Sequence, residues 1–299
     1  MSARCARIGC AALIALVLGF PTISVAAAVI ISGSGDITGA VNQCRTALGD
    51  PNNGNTAGPL ASGRREINWD GGGANDTTTA PVTPFDVFLN TRGGRFTTPG
   101  TGLTQAPPSG GPQGGLAGLF NNPTYGTTFS TFSPLRLFMS VGSNITDALF
   151  FLPGSNGTVP ATVTGFGAVF SDIDVPNSAS IQFFAGGASL GTFFAPVRTD
   201  STGLSFLCVT FNAGERASRV QITSGQGALG AGVNDISDGG TLDLVVMDDF
   251  LYSEPKDLPP SAGPPVAIPT LTGWAMIGLT LLLAAALAFG LRRRGRLAS

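Results

Sequence analysis

Arg219-Val220-Gln221-Ile222-Thr223 alternates polar and apolar side chains without a break, and Asn212-Ala213-Gly214 precedes it. Successive side chains of an extended chain leave opposite faces, so this stretch predicts a strand with one wet and one covered face. Similar runs lie on either side: Val163 to Phe170, Ser180 to Phe184, Ser189 to Phe194, Ser205 to Phe211 and Thr241 to Tyr252. Pro176-Asn177, Gly186-Gly187, Thr202-Gly203 and Asp238-Gly239-Gly240 separate them as turns. Short strands at this spacing predict an all-β body, an antiparallel sandwich or jelly-roll-like fold. Its core covers about residues 131–253, with the 241–252 strand central or near-central. Phe183-Phe184 and Phe193-Phe194 each put one ring on either face, so a second layer must cover some of them. No helical periodicity stands out between Val29 and Lys256, and no helix is expected there.

Residues 29–130 are rich in Gly, Asn, Asp, Thr and Pro and read as a loop-rich part packed on the strands. Before them, residues 1–28 carry Arg4 and Arg7, an apolar run from Ile8 to Phe20, and a small-residue exit at Ala26-Ala27-Ala28. That order is a secretory signal peptide. Arg7-Ile8-Gly9 ahead of Cys10 does not fit a lipoprotein signal. The extracytoplasmic domain is then 29–256, and the Pro-rich stretch 257–267 is a stiff spacer. Leu271 to Leu291 holds no charge over 21 residues. At ~1.5 Å per residue it is long enough to cross a ~30 Å hydrocarbon core as a helix. Arg292, Arg293, Arg294 and Arg296 follow it and place its far end in the cytoplasm.

The whole chain has a net charge of -2, and the six arginines of its two ends leave the body between them at -8. Nine Arg and Lys256 are scattered through that body, so nucleic-acid binding has no electrostatic footprint. Histidine is absent. This removes Ser-His-Asp and Cys-His catalysis and most zinc and haem sites. Once the signal is removed, Cys44 and Cys208 are the cysteines left. An oxidising compartment allows a disulfide between them, and two separate thiols are the alternative.

Carboxylates carry what chemistry remains. Asp172-Ile173-Asp174 ends a strand, with both carboxylates on one face if the chain is extended. One reading is a calcium site, since calcium takes oxygen ligands from carboxylates and carbonyls; the other is a turn capped by aspartate. No other cofactor is expected. Asp248 and Asp249 sit within the last strand on opposite faces, where one of them is read as a structural partner of Arg64 or Arg65. Trp69 is read either as a sugar-stacking platform or as packing for the N-terminal part.

Ile268-Pro269-Thr270-Leu271-Thr272-Gly273-Trp274-Ala275 stands at the head of the apolar stretch. It resembles the I-P-T-L-x-x-W-G motif of the IPTL-CTERM sorting domain, a relative of the PEP-CTERM signals of Gram-negative bacteria, with Ala275 in place of the usual Gly. The resemblance implies recognition of Ile268, Pro269, Thr270, Leu271 and Trp274 by an exosortase-type membrane enzyme. Gly63 to Asp70, Thr98 to Gly102, Gly165 to Phe170, Gly191 to Phe194 and Val246 to Tyr252 resemble an extracellular module of PEP-CTERM-type secreted proteins that has no assigned activity. The last of these is also similar to the closing strand of lectin-like jelly rolls. Together these readings predict a non-enzymatic exported protein, held first in the inner membrane and then placed at the cell surface or in an exopolysaccharide matrix. A carbohydrate-binding module, calcium-dependent or not, and a secreted glycan hydrolase are the alternatives.

Overall fold

Three apolar layers, not two, organise the body of this chain. The computed structural model describes residues 28–71, 75–198, 203–257 and 273–296, with side chains of the last helix described for 277–289. In chain order the elements are β1 (Ala28–Ser34), α1 (Thr38–Leu48), β2 (Arg64–Ile67), α2 (Leu89–Arg92), β3 (Gly94–Thr97) and β4 (Gly102–Ala106). Two short helices follow, α3 (Gly115–Leu119) and α4 (Tyr125–Thr128), then β5 (Leu137–Val141), β6 (Ile145–Phe150), β7 (Ala161–Thr162) and β8 (Gly165–Ser171). The remainder are β9 (Ser180–Ala185), β10 (Ala188–Phe194), β11 (Leu204–Phe211), β12 (Arg219–Thr223), β13 (Val246–Ser253), β14 (Lys256–Asp257) and α5 (Gly273–Arg296).

A seven-stranded antiparallel sheet runs β1-β11-β8-β13-β5-β4, and β2 pairs with β13 beyond the single β13–β5 contact at Met247. A five-stranded antiparallel sheet runs β10-β9-β12-β6-β3, and β7 with β14 forms a small third sheet. One core joins the two large sheets. Phe166, Phe170, Leu207, Phe138 and Phe250 meet Phe96, Phe150, Ile181, Phe183, Val220 and Ile222 there. The strand expected at Thr241 begins at Val246 and is central, with β8 on one edge and β5 and β2 along the other. Sheets of seven and five strands depart from the eight strands of a jelly roll.

Two further layers lie on the far face of the seven-stranded sheet. Ile37, Val41, Cys44 and Leu48 of α1 and the residue before it pack on Val169, Phe206, Cys208 and Leu251. Leu116, Phe120, Tyr125 and Phe129 pack with Leu229 and Leu244 on Leu137, Met139 and Val246. Burial on both faces explains why β8 and β11 are mostly apolar along their whole length and why β13 is so on either side of Asp248 and Asp249. The five-stranded sheet has one wet face, and β12 and β6 alternate as such a strand must.

The expectation that 29–130 holds no helix is overturned: this loop-rich part supplies β1 to β4 and α1 to α4. The stripe Ile37, Val41, Cys44, Leu48 has helical spacing, but Gly39, Asn42 and Thr46 between them are weak helix formers, and the helix is held by packing. Ala28, at the end of the expected signal 1–28, is already in β1 and pairs with Phe211, so the folded domain begins one residue earlier. Residues 1–27 lie outside the described residues, as do Ile268, Pro269, Thr270 and Leu271 of the sorting motif. Asp257, counted with the spacer, pairs with Ala161. The chain divides into two compact units, Met1–Asp257 and Leu258–Ser299, and α5 belongs to the second. Among the described residues no helix is long and apolar enough to cross a membrane.

Cys44 and Cys208 are bonded, their Cα atoms 6.1 Å apart and both side chains fully buried. Gly167 of β8 makes this possible. A Cβ added there would lie 2.9 Å from Cys208 Cβ and 3.1 Å from Cys44 Sγ. Gly165 does the same for Leu48, whose Cδ2 is 2.9 Å from the same hypothetical atom. The two glycines form a slot in which α1 rests against the sheet. Gly167→Val is expected to force α1 outward and cost about 1–3 kcal/mol, the usual penalty of overpacking. A urea midpoint equal to that of the wild type would show that α1 does not depend on this slot.

Candidate functional site

β13 carries two acidic residues at its centre, and a β-bulge decides where they point. Met247 pairs with Phe170 and Phe250 with Ala168, so Asp248 and Asp249 together face the single residue Val169. A bulge re-aims its side chains, and here both carboxylates reach Ser133. Asp248 Oδ2 accepts from the amides of Phe132 at 2.6 Å and Ser133 at 3.2 Å, while Asp249 Oδ1 accepts from the Ser133 hydroxyl at 2.6 Å. The expected opposite-face arrangement fails because simple alternation holds only in an unbulged strand.

The expected pairing of these aspartates with Arg64 or Arg65 fails too. Arg65 forms a two-pronged pair with Glu254, at 2.6 Å and 2.7 Å, with both side chains essentially inaccessible. Its remaining nitrogen donates to the carbonyls of Gly54, Thr56 and Thr91. Arg64 contacts Asp50 and Glu66. Trp69 is fully buried, stacked on Phe138 at 3.7 Å between ring centres, and donates to the Asp248 carbonyl at 3.0 Å. It is core and no sugar platform.

A polar pocket of about 410 Å³ lies beside the bulge, lined by Arg45, Asn52, Glu66, Asn68, Arg92, Phe132, Ser133 and Asp249. Glu66 is held by Arg45 at 2.9 Å and Arg64 at 2.6 Å. Burial, and next the charge of Asp249, holds the Asp248 carboxyl well above the ordinary carboxylate range. Burial also raises Asp249, against the lowering effect of its Ser133 hydrogen bond.

A second acidic group gathers where β8 ends. One carboxylate oxygen from each of Asp172, Asp174 and Asp235 lies within 4.8 Å of the other two. Asp172 is not extended as expected: its φ is 71°, in the left-handed region that aspartate tolerates. Asp174 nevertheless stays beside it. Asp235 caps the short turn Ile236–Asp238 by accepting from Ser237 N at 2.6 Å, and its other oxygen accepts from Leu244 N at 2.6 Å. Asp243 Oδ2 accepts from the amides of Asp174 at 3.0 Å and Val175 at 2.8 Å. Burial, then the charges of Asp235, Asp174, Asp243 and Asp238, pushes the Asp172 carboxyl up to about 8. Burial raises Asp243 as well. Asp235 and Asp243 escaped the reading of the sequence because more than sixty residues separate them from Asp174. The only signal available was the density of Asp between Asn234 and Asp243.

No family model matches this chain, and no curated protein or solved structure matches it either. The sites therefore stand on their own geometry.

Asp248→Asn keeps an oxygen for the two amides and removes the repulsion from Asp249, and is expected to match or exceed wild-type stability at neutral pH. Asp248→Ala leaves both amides without an acceptor and is expected to cost about 1–3 kcal/mol. The wild-type carboxyl has a raised folded pKa, so its share of stability is complete below the unfolded pKa and is lost as pH rises through the folded one. The stability difference should therefore move in favour of Asp248→Asn as pH rises. Chemical denaturation at several pH values checks this, and a difference independent of pH would contradict it.

Proposed function

We propose that this chain is a non-enzymatic exported protein, first anchored in the inner membrane and then released to the cell surface or an extracellular polysaccharide matrix by an exosortase-type enzyme. The observation that carries the reading is the buried Cys44–Cys208 bond across the main sheet. A structural disulfide persists in oxidising compartments, and a chain built around one belongs outside the cytoplasm. The order of signal-like, Pro-rich, motif, apolar and arginine-rich segments in the sequence agrees with that destination. Within α5, Leu281, Leu282, Leu283, Leu287 and Phe289 are each more than 60 % exposed. Apolar exposure on adjacent positions around a helix suits lipid better than water. Absence of histidine and the engagement of Glu66 by two guanidinium groups favour a non-catalytic body.

A second reading, a carbohydrate-binding module, is favoured by the pocket at Asp249. Its amides, guanidinium groups and carboxylates beside Phe132 have the hydrogen-bonding chemistry of a polyol site. A polysaccharide pull-down that Asn68→Ala abolishes without loss of stability would establish it.

For the sorting reading, Pro269→Ala or Trp274→Ala should leave full-length protein in the inner membrane, detected by fractionation and immunoblot. Equal amounts of mature protein outside the cell would leave a plain anchor. The exported wild type, denatured without reductant, should offer no thiol from Cys44 or Cys208 to an alkylating agent. Alkylation of both would remove the observation on which export rests.

A further inference from the structure

We propose that Asp172, Asp174 and Asp235, with Asp243 bracing the backbone beside them, form a calcium site that ties the segment after β8 to the segment before β13. The inference goes beyond export and sorting and stands independently of them. Its first support is Asp172. This side chain is fully buried, and neither carboxylate oxygen has a hydrogen-bond partner. Buried carboxylates elsewhere in the body are supplied with donors: Asp248 by two amides, Asp249 by Ser133, and Glu254 by Arg65, Asn53 and Leu60. A buried carboxylate without donors, facing other carboxylates, is stable when it is protonated or when it binds a cation.

The neighbours of Asp172 favour the cation. Asp235 and Asp243 are also fully buried, and backbone amides fix each of them. Asp243 spends one oxygen on two amides, and its Oδ1 has no hydrogen-bond partner. Amide donors that fix a carboxylate's orientation, as those of Ser237 and Leu244 fix Asp235, are the outer support expected of a metal ligand, and each oxygen keeps a lone pair for the ion. One oxygen from each of Asp172, Asp174 and Asp235, the three within 4.8 Å of one another, fits a calcium sphere. Ligands at about 2.3–2.6 Å from the ion make that sphere roughly 4.6–5.2 Å across.

All the donors are oxygen, which selects a hard cation over zinc or copper. Calcium suits carboxylates fixed by the fold, because magnesium demands shorter bonds, octahedral geometry and retained water. Extracellular calcium modules bind weakly, with Kd values of about 10⁻⁴–10⁻³ M, and fill where calcium is plentiful. This site and the disulfide then meet their conditions in the same place, outside the cytoplasm.

The test uses the full chain in detergent, stripped with chelator and titrated with calcium chloride by calorimetry and thermal unfolding. One calcium per chain should bind, and millimolar calcium should raise the melting temperature by several degrees. Magnesium at the same concentration should raise it less. Asp172→Asn and Asp174→Asn should each abolish the heat and the shift, whereas Asp86→Asn, whose carboxylate pairs with Arg95 away from the cluster, should keep both. A wild type that shows neither heat nor shift overturns the proposal and leaves Asp172 a protonated core residue. A response that survives in both cluster variants, or an equal response to magnesium, overturns it too. If Asp172→Asn does not fold, the wild-type titration and the half-buried Asp174→Asn carry the test.

Discussion

Every residue of β13 from Val246 to Ser253 is buried, and this requirement organises the molecule. A strand with both faces covered and both edges paired has no water for its polar groups, so each must find a partner within the fold. Asp248 and Asp249 draw the 132–133 loop onto the bulge. The Tyr252 hydroxyl, itself fully buried, donates to the Arg92 carbonyl at 3.1 Å. Ser253 Oγ accepts from Thr164 N at 2.7 Å. Glu254, just past the strand, takes Arg65 and through it the segment from Gly54 to Leu60. Loops that look irregular in the sequence are thus fixed by the polar demands of one apolar strand.

The covering of the outer face follows from side-chain size. Gly165 and Gly167 leave a slot in β8, and α1 lies in it with Leu48 and Cys44. The bond from Cys44 to Cys208 joins this helix to the next strand across a sequence separation of 164 residues. Closing so long a loop removes much of the freedom of the unfolded chain, and native disulfides of small exported domains contribute about 2–5 kcal/mol. Trp69 seals the other side of the same sheet. Phe85, Phe88, Phe96 and Phe250 meet its ring edge-on, and Phe138 meets it face-on.

Two groups of carboxylates differ in how they are satisfied, although both lie next to β13. The bulge pair is supplied with donors by the protein itself. The cluster of Asp172, Asp174 and Asp235 offers oxygens to a common centre, and Asp172 receives no donor. Covering the outer face with α1 on one side and α3 and α4 on the other leaves the 410 Å³ pocket beside the bulge polar and open to solvent.

The sequence by itself determined the predominance of antiparallel β-sheet, the individual strands from Gly165 to Tyr252, and the central place of the last one. Those strands are alternating or largely apolar runs between strong turn residues, and such signals are local. It also singled out Cys44, Cys208, Asp172 and Asp174, while leaving the choice between bridge and thiols, or ligand and turn, undecided. Only the tertiary structure decided that the cysteines join, because the glycine slot that brings α1 against β11 belongs to a third element, β8. The short strands β1 to β4 and helix α1 were not legible, since they gain their stability from contacts with β11, β13, β5 and β6 and hardly at all from their own propensities. A bulge reversed the reading of Asp248 and Asp249, for an extra residue in one strand is defined only against its partner. Asp235 and Asp243 reach Asp172 through space, and no periodicity in a chain encodes a distance between residues so far apart along it.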